Sequence, residues 1–258
     1  MAEYPEIPTG SGKHPIPFIA IAANDVAGST AFYARIFGWQ THAVTSDVTD
    51  AAPPAGPSVS LRAKTPDGSP GLVPFIGASD VHALLDRIVA GGGTIEHPPS
   101  SVPMAGTLAR FADPSGTIYG LTGGVAGRLA PIPLPFGSKP KPPAGTICSI
   151  EMYSKDHTVT ARFFNELFEW GTRQTMPQYL GFNPGAGVSG VFQSHTPSLP
   201  AVAYVYVADV AATLQEIEAA GGTRTTDPMS VPGMGTFGYF TDPSGTSMGL
   251  IGPDGTRL

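Results

Sequence analysis

Charge is scarce in this sequence. Asp, Glu, Lys and Arg make up only 13% of its 258 residues, about half the usual share. The formal net charge is −6, and the 14 Lys and Arg form no cluster or stripe. That excludes the electrostatic footprint of a nucleic-acid binder. No run of 18 apolar residues occurs, so no membrane-spanning helix is expected, and the polar stretch from Met1 to His14 lacks the apolar centre of a signal peptide. A single cysteine, Cys148, has no partner for an internal disulfide, which makes the cytoplasm the default location. The six histidines (His14, His42, His82, His97, His157 and His195) show no His-x-His or His-x₃-His spacing and no His/Cys cluster, and surface or structural roles are expected for each. Walker and dinucleotide fingerprints are missing too, so no cofactor is expected. Gly91-Gly92-Gly93 and Gly221-Gly222 follow apolar helical patterns rather than precede them, whereas a phosphate cradle needs a helix N-terminus.

What the chain does have is apolar residues, 41% of the total, with 33 Gly and 28 Pro. That hydrophobicity predicts a folded chain. The Gly and Pro gather in turns and in one linker, as many short strands require.

The ordering feature is a repeat. Phe111-Ala112-Asp113-Pro114-Ser115-Gly116-Thr117 returns half a chain later as Phe240-Thr241-Asp242-Pro243-Ser244-Gly245-Thr246. Asp-Pro-x-Gly is a tight turn, in which Asp binds nearby backbone, Pro sets φ and Gly accepts φ > 0. Strand-like flanks make each copy a hairpin that closes one half. Each half holds two units of similar order, and each unit opens with a strand and a capped helix. In the first half these are Pro17–Ala23 with a helix through Phe37 capped by Asp25 or Ser29, then Leu72–Ile76 with a helix from Val81 to Ala90 capped by Ser79 or Asp80. In the second half they are Thr146–Tyr153 with a helix capped by Asp156, then Val202–Val207 with a helix led by Asp209. Pro74 suggests an edge or bulge position for its strand. Asp50–Pro57 and Pro98–Pro103 read as loops, and Thr65–Gly68 as a turn. The expected division is a flexible tail at 1–14, domains at 15–124 and 146–252, a Pro/Gly-rich linker at 125–145 and a short tail at 253–258.

Strand, Asp-capped helix with Phe32-Tyr33, Phe37-Gly38-Trp39, then Ala-Gly-Gly, Asp-Pro-x-Gly and an apolar strand: this order, occurring twice, resembles the glyoxalase/bleomycin-resistance/dioxygenase (vicinal oxygen chelate) superfamily, and specifically its branch with two such domains per chain. The resemblance implies an α+β fold of two glyoxalase-like domains. Each would hold two βαβββ modules forming a curved mixed sheet around a cavity, with helices outside. It also implies a divalent metal in the enzymes, held by His, Glu or Gln at fixed strand positions and acting as a Lewis acid. Carried onto this chain, the last-strand Glu position falls on Gly120 and Gly249. The first-strand positions fall near Phe18, Ser149, Val73 and Val202, and the remaining one near Leu61 and Phe192. No His or Glu lies within one residue of these positions, so the family metal is not expected.

Alternation along a strand puts Ser149, Glu151 and Tyr153 on one face, and Val202, Tyr204 and Tyr206 on another shared face. Glu151 reads either as a carboxylate in an apolar cup, with a raised pKa, or as an exposed edge glutamate, the ordinary fate of that residue. Tyr204 and Tyr206 either line a pocket or pack under loops. Arg110, at the place of Tyr239, would meet a ligand carboxylate or a surface acid. Cys148 is expected beneath a helix as an inert thiol. The reading is a protein that binds a small, partly apolar molecule through Glu151, Tyr153, Tyr204 and Tyr206 without a metal, with no nucleic-acid or membrane partner and homo-oligomerisation left open. The alternative is a metal-dependent lyase, isomerase or dioxygenase of the same superfamily with relocated ligands.

Overall fold

The computed structural model describes residues 4–65, 71–102, 106–124, 129–136, 139–195 and 201–254. The turn expected at Pro66–Gly68 and most of the C-terminal tail lie outside these. The first half runs β1 (Phe18–Ala23), α1 (Val26–Phe37), β2 (Gln40–Thr45), β3 (Val48–Ala52), β4 (Ser58–Ala63), then β5 (Leu72–Ala78), α2 (Val81–Ala90), β6 (Thr94–Val102), β7 (Gly106–Ala112) and β8 (Ile118–Gly123). The second half repeats it: β9 (Ile147–Tyr153), α3 (His157–Phe168), β10 (Gly171–Met176), β11 (Tyr179–Asn183), β12 (Gly190–Gln193), then β13 (Ala201–Tyr206), α4 (Val210–Ala219), β14 (Thr223–Arg224), β15 (Met229–Val231), β16 (Gly235–Thr241) and β17 (Ser247–Gly252).

All four helices among the described residues start at an aspartate. Asp25, Asp80, Asp156 and Asp209 each accept a hydrogen bond from a first-turn N–H, satisfying a donor the helix cannot. Every helix is the crossover that lets a module's first strand lie beside its last. β1 therefore pairs parallel with β4, and β5 with β8. The two modules of a half meet through their first strands, β1 antiparallel to β5 and β9 to β13. The result is one mixed sheet per half, with order β2-β3-β4-β1-β5-β8-β7-β6 and order β10-β11-β12-β9-β13-β17-β16-β14. The helices cover one face of each sheet and bury the main core there, with Phe32, Phe37, Phe111, Phe164, Phe168 and Phe240 among its residues. The opposite faces form two cups.

Several local expectations are corrected. Asp50–Ala52 belongs to β3 and Pro98–Val102 to β6, where Pro and Asp had suggested loops. In β6 the register shifts between Ile95 and His97 and again before Ser100, and bulges of this kind accommodate prolines. Pro74 lies in β5, an inner strand. It is tolerated because the β8 ladder begins only at Phe75, leaving Pro74 with β1 as its sole neighbour. Cys148 does not lie beneath a helix. A bulge opposite Tyr204/Val205 turns it to the other face, where it packs with Tyr206 and Val202 and its S–H points at the Tyr204 carbonyl oxygen. The segment expected as an N-terminal tail lies along the second half. Gly10 and Gly12 N–H donate to the carbonyls of Asn183 and Pro184, and the Trp170 indole donates to the His14 carbonyl at 2.8 Å.

The two halves dock through the repeated turns. Asp113 accepts from Ser115 N and Thr117 N, and also from Thr160 Oγ1 on α3 at 2.5 Å. Asp242 accepts from Ser244 N and Thr246 N, and from Tyr33 Oη on α1 at 3.0 Å. Each turn thus sits against the first helix of the opposite half. α1 touches α4 and α2 touches α3 across the same boundary.

Candidate functional site

The cup of the second half is built on β9 and β13. Glu151 on β9 stands opposite Val202, and Ser149 opposite Tyr204. Glu151 is 4% exposed, so the exposed reading of this residue is overturned. Tyr204 Oη donates to Glu151 Oε2, Tyr153 also hydrogen-bonds the carboxylate, and the Tyr204 and Tyr239 hydroxyls are 2.6 Å apart. Burial pushes the Glu151 carboxyl above the usual carboxylate range, against the pull of the two tyrosine hydrogen bonds. Tyr204 is raised well above an ordinary phenol by burial and by the adjacent carboxylate, and Tyr239 is pushed up to about 12 by the same causes. The cavity above measures about 170 Å³. Its walls are aromatic and thioether-rich, with Tyr179, Phe237, Met176 and Met234, and Tyr4 and Phe136 reach over it from the N-terminal segment and the inter-half stretch. Tyr179 also contacts His195, with Oη 3.3 Å from Nε2.

Of the four residues expected to share this site, Glu151 and Tyr204 line the cavity. Tyr153 lies behind Glu151, holding it, and Tyr206 packs beside Cys148 away from the cavity wall. Strand alternation placed Tyr204 and Tyr206 on one face correctly, but they are about 7 Å apart along the strand, and the cup reaches only the first. Tyr179 and Tyr239 were missed. The hairpin register that aligns Arg110 with Tyr239 would have found the latter.

The cup of the first half has a cavity of about 430 Å³ over an apolar floor of Val73, Phe75 and Leu108. Phe18 stacks on Phe75 with centroids 4.4 Å apart. Arg62, Arg110 and His97 line it, so Arg110 meets a cavity rather than a surface acid and His97 is a lining residue.

Residues 16–118 match the model of the Glyoxalase/Bleomycin resistance protein/Dioxygenase superfamily. The first half of the chain is similar to this superfamily. The chain's curated relatives include CFP32 of Mycobacterium tuberculosis and of Mycobacterium bovis, provisionally named a glyoxylase. Each is 28% identical over 253 residues, which are 92% of this chain and 94% of the relative. Among solved structures it is similar to the Mn(II)-bound glyoxalase from Novosphingobium aromaticivorans, with TM-score 0.63, 17% identity, and 95% of this chain matched to 85% of that one. It is similar also to the 2,3-dioxygenase LapB from Pseudomonas sp. KL28, with TM-score 0.63, 12% identity, and 95% matched to 93%. At those identities the likeness establishes the fold of two glyoxalase-like domains.

The residues at the superfamily's metal positions do not fit a metal. A side chain at Gly120 would start 2.3 to 2.5 Å from the Phe75 ring, and one at Gly249 would start 2.4 to 3.0 Å from the Tyr204 ring. An aromatic ring from the adjacent strand thus takes the space of the last-strand ligand in both halves. Phe18, Val73 and Val202 bring no donor, and Leu61 and Phe192 are wholly buried in the helix-side core. Ser149 stands alone. Among the described residues, no three His, Cys, Asp or Glu side chains converge as a metal group would require.

Proposed function

We propose that the protein binds a small, partly apolar organic molecule in a curved-sheet cup, without the superfamily metal. The observation that carries this reading is Glu151. It is a nearly inaccessible carboxylate at the base of an aromatic and methionine-walled cavity, partnered by tyrosine hydroxyls and by no cation among the described residues. A buried carboxylate is costly for the fold alone, and its hydrogen-bonding capacity suits a ligand N–H or O–H, with the rings supplying apolar contact. The same reading places the protein in the cytoplasm, in keeping with its lone cysteine.

A matched pair of probes tests it. Indole and 1-methylindole differ only in the N–H that Glu151 would accept. Ligand-observed NMR is expected to detect indole binding preferentially, and Glu151→Leu, checked for folding by circular dichroism, is expected to abolish the preference. Absence of binding by either probe would overturn the reading.

The second reading, a metal-dependent lyase, isomerase or dioxygenase with relocated ligands, is favoured by the provisional name of the 28% identical relatives. Elemental analysis of protein purified without chelator separates the two. A stoichiometric Zn, Ni, Mn or Fe, lost on chelation and recovered on re-addition, would establish the second reading and sink the first.

A further inference from the structure

The cup of the first half faces its cavity with positive charge. Arg62 comes from β4 and Arg110 from β7, strands on opposite sides of the β1–β5 centre, so the fold brings them to one cavity from distant points of the sequence. Both are half-buried. Arg62 spends one N–H on Ser60 Oγ, at 3.1 Å. The ion pairs among the described residues involve neither arginine, and the guanidinium of Arg110 has no hydrogen-bond acceptor among them. The groups facing the pair are Asp50, an exposed carboxylate whose field supports the Arg62 charge, and His97, which stands opposite Arg110 on the adjacent strand β6. Burial and the like charge of Arg110 act on Arg62 in the other direction and lower its pKa. Two half-desolvated cations that line one cavity and are under-partnered among the described residues suit an anion. The guanidinium fork matches planar oxyanions.

We infer that the first cup is a second binding site, selective for an organic oxyanion, a carboxylate or sulfonate carried on an apolar body that fills the space over Phe75 and Leu108. The inference rests on the cup-binding reading above, but concerns a different cavity and the opposite charge. In the second half the corresponding positions hold Gln193 and Tyr239, so the charge is particular to this cup.

Two dyes with one skeleton test it. 1-Anilinonaphthalene-8-sulfonate carries a sulfonate, and N-phenyl-1-naphthylamine is the same body without it. In fluorescence titrations of the full chain, the sulfonate dye is expected to bind one site. The Arg62→Gln/Arg110→Gln variant should weaken it by about 10- to 100-fold, the worth of one or two charge-assisted hydrogen bonds, and leave the neutral dye within about twofold. Arg62→Lys/Arg110→Lys, which keeps charge and loses the fork, should fall between. Raising the salt should weaken the sulfonate dye in the native chain and have little effect in the glutamine variant. If both dyes bind and the sulfonate dye ignores the arginine substitutions, the oxyanion inference is overturned while the cup-binding reading stands. If neither dye binds, both fail for this cup.

Discussion

In the first half the ring of Phe75 lies over Gly120. In the second the ring of Tyr204 lies over Gly249. Around that shared device the cups diverge. Where β1 presents Ala20, β9 presents Glu151, and these residues stand opposite Val73 and Val202. Arg110 pairs across its hairpin with Gly120, and Tyr239 with Gly249. Arg62 stands beside Ala22, and Gln193 beside Tyr153. One backbone therefore supports a roomy cup with two guanidinium groups and a small one with a buried carboxylate among phenols. The difference teaches that strand register fixes where a side chain can act, and leaves the sign of its charge free.

Three experiments press on this comparison. The largest effect is expected from the feature the halves share most closely. Asp113→Ala and Asp242→Ala each strand two turn N–H groups and one hydroxyl from the opposite half. At about 1–3 kcal/mol per stranded buried group, Asp242→Ala, whose turn partners are buried, should cost at least about 3 kcal/mol in urea unfolding, and Asp113→Ala, whose turn N–H groups are part-buried, somewhat less. Equal losses would show that the two docking turns are equivalent, and a near-silent Asp113→Ala would break the symmetry. Next come Gly120→Ala and Gly249→Ala. A methyl there meets ring atoms well inside van der Waals contact, so a loss of about 1–3 kcal/mol is expected in each half. If either variant is as stable as the parent, the ring does not own that space, and the metal positions need re-examination.

The smallest effect, and the one that separates the cups, is the pH dependence of Glu151→Gln. The folded-state pKa of Glu151 is raised by burial. Its contribution is therefore fully present below the unfolded carboxylate value of about 4.3 and is lost as pH rises through the folded one. Glutamine keeps an acceptor for Tyr204 and does not ionise. The stability of the variant relative to the parent should thus grow as pH rises from about 4 toward neutrality, and thermal melts across that range read it. A difference that shrinks with pH would mean that Glu151 is stabilised as an anion, contrary to the cup described here.

Much of this architecture was legible because its signals are local. A cap residue before an apolar stripe announced all four helices, as an aspartate or a serine for the first two and as an aspartate for the last two, and Asp-Pro-Ser-Gly-Thr announced both hairpins. The register that follows from the hairpins put Gly120 and Gly249 in the strands after the turns, where the structure has them in β8 and β17. What stayed hidden was set by partners far along the chain. Arg62 and Arg110 meet only because β4 and β7 flank the same centre. Tyr179 joins the second cup from a meander strand, and Tyr206 leaves it because the cup is shorter than its strand. The bulge that turns Cys148 has no residue signature. A proline in an inner strand and prolines in β6 misled for a related reason, since what decides whether an N–H is missed is the neighbour, which the local sequence does not name.

The crossed turns have a further consequence. Thr160 follows its helix cap Asp156 by four residues, and Ser29, which touches the Ser244 hydroxyl at 3.2 Å, follows Asp25 by four. The first turn therefore docks on α3 and the second on α1 at the same helix position, though through different turn residues (Asp113 in one, Ser244 in the other), an approximate version of the self-complementary contact that joins identical subunits about a twofold axis. In a symmetric dimer of two identical halves any substitution would appear in both cups. Two halves within one chain keep the docking and carry no such obligation, so Arg110 and Tyr239 can stand at the same place in one molecule.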